Sequence, residues 1–357
     1  MNDFLSEKAK KLTPYVGGLQ PREDGWIKLN TNENMYPPSP KMTEALNVAD
    51  FSRLRLYPDG DSAILASAIA DVLGVKKENI FCGNSSDEVL ALAYQAFYTG
   101  KSNVISPDVS YGFYPVWGEM YDVGLSFAPV RDDFSIDTDD YKNSNGVIIA
   151  NPNAPTSLAL GLSCIEKIVA NNPNGVILID EAYIDFAQVE SAVSLLDKYE
   201  NLLVVRTFSK SHSMAGLRVG FAVGSPALID GLRRVRDAFN TYPLDMLAQI
   251  AATAAFSDVA YTKDVTAKII KTREKTIAAL REAGVNVLDS QANFIFMECA
   301  DAEALYKFLY ENKILVRYWK IPRIKNFLRV SIGTDENMEV VVQCVNRFWS
   351  AEQTKHL

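Results

Sequence analysis

The sequence predicts an α/β fold: a large domain on a mostly parallel sheet flanked by helices, followed by a smaller α+β domain. Three observations predict it. Short apolar runs end at polar or glycine-rich turns: NGVIIANP (145–152), NGVILIDEAY (174–183), NLLVVRTFSK (201–210) and VGFAVGS (219–225). Uninterrupted Val/Ile/Leu runs of this length suit parallel strands covered on both faces. Helical spacing of apolar residues lies before or between them, at 62–73, 87–97 and 162–171, and alternating strands and helices build a parallel sheet. After about residue 240 the pattern changes. A long helical stretch, 245–283, precedes strand-like segments at 285–298, 313–319 and 327–334, with helices expected at 301–312 and 335–349.

The bulk numbers limit the function. The 357 residues suffice for two domains. The formal charge of -8 gives no electrostatic footprint for nucleic acid or an anionic membrane. Cys82, Cys164, Cys299 and Cys344 are scattered, and only His212 and His356 could join them, so no metal site is expected. The cysteines read as reduced residues of a cytoplasmic protein. The N-terminal MNDFLSEKAKKL lacks a signal peptide's apolar run, and no apolar stretch approaches the roughly 20 residues of a membrane span.

The chemistry is carried by strand ends. One run finishes in Asp180 and another in Ser209-Lys210. In a parallel sheet both lie on the carboxyl edge, where ligands bind. A lysine and a carboxylate facing one site are the two groups that pyridoxal phosphate needs, one for its aldehyde and one for its ring nitrogen. Alone, the pair is as well read as an ion pair. FCGNSSDEVLALAYQAF (81–97) adds a strand, a turn and a helix start whose N–H groups and hydroxyls suit a phosphate; the plain reading is a serine N-cap. In SKSHSMAGLRVG (209–220), Arg218 offers a phosphate fork, though a lone arginine is more often a surface residue. NPNAPTS (151–157) is a turn at the same edge, and Tyr111 in PDVSYGFY (107–114) is either a ring stacked on the cofactor or core. Each signal is weak singly; their order along the chain is not.

These residues resemble the fold-type I, pyridoxal-5'-phosphate-dependent aminotransferases of the class II group, and within it the histidinol-phosphate aminotransferases. LNTNENMYPPSP (29–40), LYPDG (56–60), GNSSDE (83–88), NPNAPT (151–156), DEAYIDF (180–186), RTFSKSHSMAGLRVG (206–220) and FLRVSIGT (327–334) carry the resemblance along nearly the whole chain. It implies a sheet of the seven-stranded type. It implies an N-terminal arm (1–30) packing with the small domain, a large cofactor-binding domain (31–240) and a small domain (241–357). Lys210 would form the imine and move the substrate proton, Asp180 would pair with the pyridine nitrogen, and Tyr183 would bond the ring hydroxyl. Ser85, Ser86, Ser209 and Arg218 would hold the phosphate, with Tyr57 reaching it from the second subunit of a homodimer. Tyr111 would stack on the ring. Arg329 and Arg317 would take the substrate's anionic group, with Tyr15 and Asn32 nearby. The family often has Asn before Pro-Thr-Gly; here Ala154 and Ser157 stand in that motif, so Asn153 is the candidate for the lost ring contact. Met35 replaces a common proline. The implied reaction interconverts L-histidinol phosphate and 2-oxoglutarate with imidazole-acetol phosphate and L-glutamate, in histidine biosynthesis. An aromatic-amino-acid aminotransferase or a threonine-phosphate decarboxylase would need the same Asp/Lys pair. A non-catalytic regulator on this fold would be expected to lack the lysine or add a DNA-binding segment.

Overall fold

The structure, a computed structural model, describes residues 4–355, so Met1–Asp3 and His356–Leu357 lie outside the described residues. The strands in chain order are β1 (Ile27–Lys28), β2 (Ile80–Asn84), β3 (Val104–Pro107), β4 (Leu125–Ala128), β5 (Gly146–Ala150) and β6 (Val176–Asp180). They continue with β7 (Leu202–Thr207), β8 (Val219–Gly224), β9 (Phe294–Glu298), β10 (Ile314–Leu315), β11 (Arg317–Tyr318) and β12 (Phe327–Ser331).

The main sheet has seven strands in the order β2-β8-β7-β6-β5-β3-β4. β4, β3, β5, β6 and β7 run parallel. β8 does not: it is antiparallel to both β7 and β2, which corrects its reading as another parallel strand. A parallel return needs a crossover of a dozen or more residues, usually a helix. The link here is only residues 208–218, and it is spent on the loop that carries Lys210.

Successive residues of the buried strands alternate between two apolar layers. Ile149, Ile177, Ile179 and Val204 pack with the helices Ala63–Leu73, Leu162–Ala170 and Met246–Ser257. Ile148, Leu178, Leu203 and Val205 pack on the other face with Ser85–Ala93, Phe113–Met120 and Pro226–Phe239. The sheet's core therefore runs past residue 240, since Leu244, Ala248, Ala252 and Phe256 belong to it.

The expected long helix over 245–283 is two helices, Met246–Ser257 and Val259–Glu282. Asp258 breaks it with φ -89° and ψ 61°, its carboxylate taken by Ser39 Oγ (2.6 Å) and Lys41 Nζ (2.9 Å). The strand expected over 285–298 is shorter as well. Ser290 turns the chain through its hydroxyl, which donates to Phe294 O (2.6 Å), so only β9 and an isolated bridge at Val287 pair. β11, β12 and β9 form an antiparallel sheet covered by Val259–Glu282, Ala302–Glu311 and Asp335–Lys355. β1 pairs in parallel with β10, which ties the arm to this layer. Among the described residues no helix is long and apolar enough to cross a membrane.

Candidate active site

Register places the site. Ala150 pairs with Asp180, and Asp180 with Val205, so β5, β6 and β7 end on one edge. Lys210 follows three residues after β7. A cavity of about 620 Å³ opens there, lined by Asp180, Tyr183, Ser209, Lys210, Ser86, Tyr111, Arg218, Tyr15, Asn32, Arg317 and Arg329 among others.

Asp180 is 5% exposed and accepts from Tyr114 Oη (2.9 Å) and Ala182 N (3.1 Å). Burial pushes its carboxyl up to about 6 despite both bonds. The Lys210 ammonium donates to Thr31 O (3.1 Å) and sits 5.8 Å from the Tyr183 ring centre. Burial, then the charge of Arg329, lowers its pKa to about 8. Tyr183 accepts from Asn32 Nδ2 (3.0 Å) and meets Phe294 edge-on.

At one end Ser86, Thr207, Ser209 and Arg218 converge. Ser85 starts the helix at φ 69°, its N–H bonded to Arg218 O (2.8 Å). β8 is pressed against this turn: a Cβ on Gly220 would stand 2.2 Å from Ser86 N and 2.4 Å from Ser85 C. First-turn N–H groups have no intrahelical partner, so the turn offers donors to an anion. Arg218 is meanwhile paired with Asp87 (2.9 Å), which also accepts from Tyr111 Oη (3.1 Å).

At the other end the antiparallel register sets Arg317 opposite Arg329. Arg329 donates to Asn30 O (2.8 Å) and lies over the rings of Trp319 (5.2 Å) and Phe294 (5.3 Å), yet its buried Nε has no partner among the described residues. Arg317 is held by Val16 O (2.8 Å) and Gly17 O (3.2 Å). Tyr15 stacks on Phe113 at 4.2 Å.

Three expected residues lie off the cavity wall. Ser85 is buried beneath it, with its N–H spent on Arg218 O. Asn153 is spent elsewhere: its amide donates to Val109 O (3.0 Å) and Thr156 Oγ1 (2.9 Å) and accepts from Ser110 Oγ (2.9 Å). Its neighbour Ala154 lines the cavity instead. Tyr57 is 83% exposed and stacks on Tyr242. Conversely, the sequence reading did not pick out Tyr114, Asp87, Thr207 or Glu33. Tyr114 stood in the same run as Tyr111, and Glu33 beside Asn32 in LNTNEN; a polar residue inside a motif was the available signal.

The class I and II aminotransferase family model matches residues 24–345. The chain belongs to that family. This aminotransferase is 49% identical over 346 residues to a histidinol-phosphate aminotransferase of Brachyspira hyodysenteriae, covering 96% of this chain and 98% of the relative. It is 47% identical over 352 residues to one of Clostridium acetobutylicum, covering 97% and 100%. The crystal structure of histidinol-phosphate aminotransferase from Sinorhizobium meliloti in complex with pyridoxal-5'-phosphate shares the fold. Its TM-score is 0.86 at 22% identity, over 97% of this chain and 98% of that one. The aminotransferase works with pyridoxal 5'-phosphate, and the donor set fits it. A buried carboxylate, an amine of lowered pKa and an anion turn closed by Gly220 line one cavity.

Proposed function

We propose that this aminotransferase interconverts L-histidinol phosphate and 2-oxoglutarate with imidazole-acetol phosphate and L-glutamate, serving histidine biosynthesis. The observation that carries the substrate is the paired Arg317 and Arg329, with the unpartnered Nε of Arg329 between the aromatic faces of Phe294 and Trp319. Two adjacent guanidiniums repel until an anion joins them, and a phosphate dianion meets both forks. The names of the relatives above support the same reading.

Ser86, Ser209 and Arg218 would hold the cofactor phosphate on the turn that Ser85 begins, Tyr111 would cover its ring, and Asp180 and Tyr183 would bond the ring nitrogen and hydroxyl. When bound, the cofactor supplies an electron sink for the charge left on the substrate's α-carbon. Asp180 would pair with the ring nitrogen and favour its protonated form. Lys210 Nζ, near half neutral at about pH 8, would take the substrate's α-proton as general base and then, as general acid, return it to the reacting system. Tyr15 and Asn32 orient the substrate beside it.

We also propose a cytoplasmic homodimer in which Tyr57 completes the partner's phosphate site. Its support is the apolar patch around it, where Phe51, Leu54, Leu56 and Ile64 are all at least half exposed. The arm and the layer after Asp258 would form the smaller unit. Purified protein with histidinol phosphate and 2-oxoglutarate is expected to produce glutamate. Turnover with an aromatic amino acid or threonine phosphate, and none with histidinol phosphate, would overturn the substrate assignment.

A further inference from the structure

Three carboxylates line the cavity, and two have work. Asp180 is bonded by Tyr114 and Ala182, and Asp87 by Tyr111 and Arg218. Glu33 is the third. Its Oε2 takes both protein donors, Lys28 Nζ and Thr31 Oγ1 (2.8 Å). Its Oε1 has no hydrogen-bond donor among the described residues.

The segment presenting Glu33 is fixed on both sides. Leu29 N donates to Leu315 O (2.7 Å), Asn32 N to Ser331 Oγ (2.9 Å), and Asn293 Nδ2 to Asn32 O (3.0 Å). On the other side Asn34 Nδ2 donates to Lys210 O (3.0 Å), and Lys210 Nζ to Thr31 O. The backbone on both sides of this acceptor is thus anchored to the segment that carries the reacting amine, while the Glu33 side chain is 38% exposed to the cavity and solvent. Burial opposes the charge of Glu33, but bonds from Lys28 and Thr31 and the charge of Lys210 outweigh it, and its pKa lies below the ordinary carboxylate value. Glu33 is ionised at neutral pH.

An anionic acceptor can serve only one part of the amine substrate. The phosphate belongs with the arginines and the amine with Lys210. What is left is a ring bearing N–H, which loses affinity if it is buried without an acceptor. We infer that Glu33 Oε1 accepts the imidazole N–H of the amine donor and selects that ring over side chains without a donor. This rests on the substrate reading above. The second amine, glutamate, has only a carboxylate to offer here; the pairing with Lys28 offsets the charge of Glu33, so glutamate is admitted without being favoured.

The test is single-turnover amine transfer in the cofactor-loaded enzyme, wild type against Glu33→Gln, followed by cofactor absorbance. Three amines are compared: histidinol phosphate, phenylalaninol phosphate (the same skeleton with phenyl for imidazole) and glutamate. For histidinol phosphate the variant is expected to lose about tenfold to a hundredfold in rate over apparent dissociation constant, the range of a charge-assisted hydrogen bond. Phenylalaninol phosphate and glutamate stay within about threefold, which also shows the variant folded. An equal fall with all three amines, or no fall with histidinol phosphate, overturns the inference alone. A wild type inert to histidinol phosphate but active on another amine overturns the substrate reading and the inference together.

Discussion

The wall of the cavity built by β6, β7 and the Ser85 turn holds its charges differently from the wall built by the arm, β11 and β12. Asp180 sits at a strand end between two parallel neighbours, buried, and bonded by a tyrosine hydroxyl and a backbone N–H. Its carboxyl stands near 6 and the Lys210 amine near 8, both displaced by burial. Burial at this sheet edge makes the charged form of each group costlier than it is in water. Across the cavity Arg317 is partly exposed and hangs from carbonyls of the irregular segment at 16–17. A ligand can replace those bonds singly. On the function proposed above, the first wall would do chemistry common to every substrate and the second would sort substrates. Damage to the first should therefore be blind to the amine used, and damage to the second should depend on it.

The sharpest way to break that comparison is Lys210→Ala. Loss of the proton carrier lowers kcat by at least about 10⁴-fold for every amine, and the protein loses the visible absorbance of bound cofactor attached through lysine. The wild type adds a pH signature. Cofactor capture by the free amine rises with pH with a midpoint near 8, where Lys210 is half neutral; an ordinary lysine would still be climbing near 10. A spectrum of the Ala variant identical to wild type would move the imine to another residue.

Asp180→Asn comes next, with kcat down about 10²- to 10³-fold, the scale of losing one partner of a buried charge pair. The same residue sets a stability trend of definite sign. Its folded pKa is raised from 3.8 to about 6. The stability it contributes is complete below pH 4 and lost as pH rises through 6, about 3 kcal/mol in all. Urea melts of cofactor-free protein should show Asp180→Asn gaining on wild type between pH 4 and pH 7. A constant difference across that range would mean that the carboxyl titrates normally.

The two walls also differ in how far the sequence disclosed them. Asp180 and Lys210 were readable because strand ends are marked by where an apolar run stops, and parallel strands share an edge. The antiparallel turn of β8 was hidden, since an apolar run reads the same in either direction; only the length of 208–218 limits it. The break at Asp258 was hidden too, because helical spacing continues through it and the carboxylate is captured from far away by Ser39 and Lys41. Side-chain commitments were the least legible. Nothing local says that Asn153 is consumed by Val109 and Ser110, or that Tyr114 reaches Asp180 while Tyr111 turns to Asp87.

The smallest effect sharpens the comparison inside the second wall. Arg329 is packed between aromatic faces with an unpaired Nε, while Arg317 already has two carbonyl partners at the rim. Arg329→Ala should raise the KM for histidinol phosphate about a hundredfold, as expected on losing a desolvated charge-assisted bond. Arg317→Ala should cost about tenfold, because its charge is better solvated and its bonds to the arm must break before it can turn to a ligand. Both variants should leave the absorbance of bound cofactor unchanged. Added salt should widen the gap, since screening weakens the rim arginine more than the packed one. Equal KM changes in the two variants, at low and high salt alike, would show that the substrate's anion is shared evenly between them and that depth in this wall does not grade the arginines.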